Sequence, residues 1–111
     1  PGPHVSIMAG LNCGTPSLIA WPLLAAGLDA VVAIDDERAR QAMRELATSG
    51  LVAGETGAAG LGGLLALLGS DRLGGVRGQL GIGPATRALV FCTEGATDPA
   101  AYARIVADTK P

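Results

Sequence analysis

Residues 56–70 carry no charge, and glycines stand at 57, 60 and 63 within them. Thr56 is placed to cap a helix that runs to about Leu68. Such a helix is apolar on every face, which predicts that it is buried. Its three glycines fall along one face at a spacing of three. Each costs roughly 1 kcal/mol of helix propensity against alanine. A face built at that cost is one that a sheet, another helix or a ligand approaches closely. The run GAAGLGG at 57–63 lacks the G-x-G-x-x-G spacing, and it has no P-loop lysine. Tight packing is therefore the simpler reading than direct phosphate binding.

Two short apolar runs suggest what packs there. Residues 30–34 (AVVAI) and 88–92 (ALVFC) are continuously apolar and rich in β-branched residues. That pattern predicts strands buried on both faces, as in a parallel sheet. Residues 4–8 alternate weakly and suit a further short strand. Asp35 and Asp36 open a helix over about 36–49. Its apolar stripe is Ala39, Ala42, Met43, Leu46 and Ala47, and Ser49-Gly50 ends it. Asp98-Pro99 opens a last helix to about Asp108. Ser17 caps a helix to about Ala26, which either starts or kinks at Pro22. Residues 70–86 are Gly-rich and loop-like, with one helical turn over about 72–80. The alternation predicts an α/β fold: a short parallel sheet with flanking helices, in one partial domain spanning 1–111.

The chain has 111 residues, 49% of them apolar, which excludes disorder. Its net charge of −2 argues against a phosphate-backbone binder, and three aromatics make no stacking platform for nucleic acid. The uncharged run 56–70 is too short and Gly-rich to span a membrane. No secretory signal precedes it, and two cysteines, Cys13 and Cys92, make no disulfide scaffold; the expected compartment is the cytoplasm. With no initiator Met, the chain reads as a piece of a larger protein.

Candidate chemistry lies at the ends of the apolar runs. Cys92 ends the second one. It is either a small core residue or a group on the carboxyl rim of a sheet, where open α/β folds bind ligands. Thr93, Glu94, Thr97 and Asp98 share that rim. Glu55 is the lone charge between Gly50 and Ser70, and suits either a helix start or a site. Cys13, Cys92 and His4 lack metal-ligand spacing.

Three stretches carry a family resemblance: MAGLNCGTPS at 8–17, SGLVAGETGAAGLGG at 49–63, and CTEGATD at 92–98 followed by Tyr102 and Arg104-Ile-Val. Together they resemble the C-terminal part of the diaminopropionate ammonia-lyases. These are pyridoxal-phosphate lyases of the tryptophan synthase β fold, related to threonine and serine dehydratases and to threonine synthase. The resemblance implies a fragment of that fold with pyridoxal 5'-phosphate as the cofactor of the whole enzyme. It implies that Cys92 meets the pyridine nitrogen, with Thr93 beside it and Glu55 near the ring. A neutral partner there leaves the ring less electron-withdrawing than an aspartate would, which suits β-elimination.

One departure bears on activity. Relatives bind the cofactor through a lysine in their N-terminal part, and their phosphate-holding glycine loop also lies upstream. Here the sole lysine is Lys110, next to the end. The chain alone is expected to be inactive and not to hold the cofactor. A small amino-acid substrate, no nucleic acid, no membrane and a homodimer or other self-association complete the expectation. The competing reading from the residues is a non-enzymatic α/β binding module.

Overall fold

The computed structural model describes residues 3–108. Five helices follow in order: α1 (Trp21–Gly27), α2 (Asp36–Thr48), α3 (Ala59–Gly69), α4 (Gly74–Gln79) and α5 (Pro99–Ala107). Single 3-10 turns stand at Ala9–Leu11 and Asp71–Leu73.

α2 organises the packing. Asp35 caps it, its side chain accepting from the Arg38 amide at 2.9 Å. Asp36 and Glu37 fill the first turn, where the helix dipole favours acids. On its outer face, Glu37 bonds Arg44 at 2.6 Å and Arg40 at 3.2 Å. The hydrogen bond from Arg44, ahead of that from Arg40, holds the Glu37 carboxyl below its ordinary range. Gly50 takes a φ of +74° after the last turn, a left-handed conformation that ends helices and favours glycine. On the inner face, Ala39, Ala42 and Met43 are fully buried. Ala42 and Met43 form the core with Ala53 and Ala58, flanked by Leu46, Leu61, Leu65, Tyr102 and Ile105. α3 and α5 thus both pack against α2.

The remaining elements are tied down by polar contacts. Asp98 caps α5 by accepting from the Ala100 and Ala101 amides at 3.0 and 2.9 Å. Arg77 on α4 donates to the carbonyls of Leu67 and Ser70 at 2.8 and 2.7 Å, satisfying the end of α3. Ser6 donates to the Asp36 carboxylate at 2.7 Å, pinning the N-terminal segment to the start of α2. α1 stands apart, with Leu18, Ile19 and Leu23 at least 76% exposed.

The helices over 36–49 and 99–108 form as expected; α1 starts at Trp21, with Pro22 in its first turn, and Ser17 is not its cap but accepts from the Ala20 amide at 3.2 Å in the turn before it. Residues 71–79 hold more helix than the expected single turn. The expected strands require correction. Among the described residues no strand forms, at 4–8, 30–34 or 88–92. Residues 30–34 and 88–92 run straight, without turn or bend, and make no backbone–backbone hydrogen bond among the described residues. Val31 and Leu89 are 85% and 81% exposed. The physical reason is that a strand exists through its neighbours: neither run lies in register beside another. α3 also departs from expectation. It begins at Ala59, not at Thr56, and one side of it lies open rather than buried.

The core sets a stability order. Met43→Ala should cost about 2–5 kcal/mol, because its fully buried side chain leaves a cavity between three helices. Asp35→Ala should cost about 1 kcal/mol, the loss of one cap. Urea unfolding of both variants checks this, and the reverse order would contradict the assigned core.

Candidate functional site

The candidate site is the place where three distant stretches meet. The turn at 54–58 leads into α3, and it packs backbone to backbone on residues 92–95. The Gly54 amide donates to the Glu94 carbonyl at 3.2 Å. The Glu94 carboxylate accepts from the Thr56 amide at 3.1 Å. Glu94 therefore takes up a backbone donor just ahead of α3, as a cap would, from 38 residues away in sequence. Two glycines allow this approach. A Cβ at Gly54 would run into the Gly95 carbonyl, and one at Gly57 into the Glu94 carbonyl and to within 3.1 Å of Cys92 Sγ.

The third stretch arrives from the N-terminus. The Gly10 amide donates to Thr56 Oγ1 at 3.1 Å, and a Cβ at Gly10 would lie 2.9 Å from Thr56 Cγ2. Thr56 is thus a tie between loops and not a helix cap. Asn12 holds the loop's curvature by donating to the Ser6 carbonyl at 3.1 Å.

Each candidate residue has a definite place here. Cys92 is exposed, its Sγ 3.3 Å from the Glu94 carbonyl to which it donates. Thr93 follows it and lines one end of a groove along α3, together with Leu11 and Thr56. Glu55 is half-buried in the 54–58 turn, and its carboxylate makes no hydrogen bond among the described residues. The structure therefore brings Cys92 and Thr93 to the start of α3, with Glu55 in the turn that packs on them. Asp98 serves as the α5 cap. Cys13 is exposed and free, and its thiol lies 3.7 Å from the Gly10 carbonyl. No group of three or more metal-ligating side chains occurs among the described residues. Lys110 lies outside them.

Sequence reasoning gave Glu94 and Thr56 too little weight. Glu94 looks like one polar residue of a rim. Its signal is its register: it stands two residues after an apolar run, opposite a turn that opens with glycine. Two glycines three apart, Gly54 and Gly57, mark the surface that receives it.

A protein-family model described as pyridoxal-phosphate dependent enzyme matches residues 2–76, more than half of the chain. The chain belongs to that family. Its enzymes use pyridoxal phosphate and have the tryptophan synthase β-like α/β fold. The diaminopropionate ammonia-lyase of Salmonella typhimurium is 32% identical over 111 residues, covering 95% of this chain and 28% of that protein. The diaminopropionate ammonia-lyase of Escherichia coli is 32% identical over 114 residues, covering 98% of this chain and 29% of that protein. The chain thus spans under a third of the length of these relatives.

The two glycine positions on α3 and its approach make opposite predictions. Gly57→Ala should destabilise the fold and loosen the 92–95 segment, because its methyl meets backbone that cannot rotate away. Gly63→Ala meets nothing within 4 Å and should be neutral, or stabilising by up to roughly 1 kcal/mol. Urea midpoints of the two variants decide; equal midpoints would contradict the packing of the turn on Glu94.

Proposed function

We propose that this chain is the part of a pyridoxal-phosphate ammonia-lyase that presents a neutral partner to the cofactor ring. The whole enzyme would act on 2,3-diaminopropionate. The observation that carries the reading is the junction of the three stretches at Cys92, Thr93 and the 54–58 turn, in a chain 32% identical to two ammonia-lyases over nearly its full length.

The residues fit one edge of the cofactor and not its covalent anchor. Cys92 has an exposed thiol at the start of α3, kept clear of side chains by Gly57. The sole lysine, Lys110, belongs to none of the three stretches in sequence. When bound, the cofactor supplies an electron sink that allows an α-proton and a β-amino group to leave. Water then completes the balance: diaminopropionate and one water give pyruvate and two ammonia.

The roles of the chain's own residues follow from their chemistry. Turned from the Glu94 carbonyl it bonds here, the Cys92 thiol would give the ring nitrogen a neutral hydrogen-bonding partner and no charge. Thr93 adds a hydroxyl beside it. Glu55, the half-buried carboxylate of the adjoining turn, contributes charge near the ring. Glu94 positions all three by holding the turn. Alone, without a lysine in such a context, the chain should show no turnover and no stable cofactor adduct. A dehydratase acting on threonine or serine, or a threonine synthase, remains the second reading, since the same motifs serve a ring and not a substrate. We extend the proposal to a cytoplasmic setting, which suits two exposed free thiols. We extend it also to self-association through the exposed apolar residues of 18–28.

The test is made in the polypeptide that contains this chain. Cys92→Ser keeps a neutral hydrogen-bonding group and should retain most activity. Cys92→Asp introduces a carboxylate that pairs with a protonated ring nitrogen. It should shift the cofactor absorbance and lower the elimination rate at least about tenfold, roughly 1.4 kcal/mol of barrier. Identical spectra for wild type and both variants would remove Cys92 from the site.

A further inference from the structure

A separate cavity lies between the C-terminal half of α3, α4 and the loop that follows α4. It holds about 510 Å³. Its walls are Leu64 and Leu68 of α3, Arg77 of α4, and Ile82, Pro84 and Thr86 of the loop. Cys92, Thr93 and Glu55 are not among its lining residues, and Arg77 is the one charged residue that is.

The Arg77 guanidinium is fixed from one side only. Its Nη1 donates to the Leu67 and Ser70 carbonyls at 2.8 and 2.7 Å, which uses both hydrogens of that nitrogen and sets the plane of the group. A guanidinium carries five N–H donors. The three on Nη2 and Nε have no partner among the described residues, and no carboxylate pairs with Arg77 there. Nη2 and Nε together form the parallel fork that matches a carboxylate. A second feature keeps that fork accessible. A Cβ built at Gly74 would meet Arg77 Nη2 at 3.5 Å and nothing else within 4 Å. The glycine leaves uncovered the nitrogen that a side chain would stand over.

We infer that this cavity binds a small aliphatic monocarboxylate. The carboxylate sits on the Nη2–Nε fork of Arg77, and the hydrocarbon lies against Leu64, Leu68, Ile82 and Pro84. The wall decides the class of ligand. One positive charge among apolar side chains calls for one negative charge. A phosphate dianion would bring a second charge with no cation to pair it. Thr86, the other polar side chain of the wall, already has its hydroxyl oxygen taken by the Gly83 amide at 2.9 Å. A neutral aliphatic molecule would leave the fork unpaired where water is displaced. The volume falls within the roughly 300–1,000 Å³ of small-molecule sites. This inference is independent of the proposed function, since it uses neither the junction at 54–58 nor the cofactor.

The test is equilibrium dialysis of the full chain against radiolabelled hexanoate at neutral pH. Binding should saturate at one site per chain, with half-saturation at roughly 1 mM. Unlabelled hexanoate should compete at least about tenfold better than hexanol, which has the same tail and no charge, and than inorganic phosphate. Three variants locate the site. Arg77→Gln keeps a donor for the carbonyls at the end of α3 and removes the fork. Gly74→Leu places a side chain over Nη2 and leaves both carbonyl bonds in place. Leu68→Glu, at a half-exposed position, puts a competing carboxylate on the cavity wall. Each should weaken hexanoate binding at least about tenfold while the far-ultraviolet circular dichroism stays that of the wild type. Should Arg77→Gln fail to fold, the other two decide. Absence of saturable binding overturns the inference. So does equal competition by phosphate, which would make Arg77 a site for any anion, or by hexanol, which would make the cavity merely apolar. Undiminished binding in folded Gly74→Leu and Leu68→Glu overturns it as well.

Discussion

The contact between Glu94 and the turn at 54–58 holds together everything that could act chemically in this chain. It consists of one backbone hydrogen bond, from Gly54 to the Glu94 carbonyl, and one side-chain bond, from the Thr56 amide to the Glu94 carboxylate. A hydrogen bond to a charged group contributes about 1.5–3 kcal/mol, and the lower end applies to a half-buried carboxylate such as this. Without it, residues 92–95 would be held near α3 only by Val90 against Gly60 and by the packing of α5 on α2. Cys92 and Thr93 would then be ordinary exposed loop residues. The glycines at 54 and 57 are the condition for the contact, since side chains there would occupy the space of the Glu94–Gly95 backbone.

The rest of the molecule supports that junction from two sides. α2 buries Ala42 and Met43 against Ala53 and Ala58, which fixes both ends of the 54–58 turn on the core. Asp36, bound by Ser6, and Thr56, bound by Gly10, hold the N-terminal loop over the same turn. The core is small. Its fully buried side chains are mostly alanine, and many large apolar residues lie at the surface, Phe91 among them. Exposed apolar surface on this scale marks interaction surfaces.

The helices were legible where local chemistry decides them. Asp35, the first-turn acids and Gly50 bracket α2, and Asp98-Pro99 opens α5; both need only neighbours within a few residues. The start of α3 was less legible because Thr56 has two competing uses. Its hydroxyl goes to Gly10, 46 residues away, and no local rule announces that choice. The apolar runs at 30–34 and 88–92 were expected as strands buried on both faces, but among the described residues they form no strand, and Val31, Leu89 and Phe91 lie exposed. Strand formation was not theirs to achieve, because a ladder requires a partner backbone. In the site, Glu55 drew attention by its isolation in sequence, whereas Glu94 makes the contacts. A carboxylate's bonding is set by what folds against it, and that is not visible in its immediate neighbours.

Amide hydrogen exchange on the isolated chain tests the central contact most directly. The amides of Gly54 and Thr56 report the two bonds to Glu94, each through a single donor. They should exchange far more slowly than those of residues 88–92, which have no hydrogen-bond partner among the described residues, and the Thr56 amide should speed up selectively in Glu94→Ala. Gly54 and Thr56 amides that exchange as fast as those of 88–92 would show that the junction does not hold, and with it would go the placement of Cys92 at the start of α3.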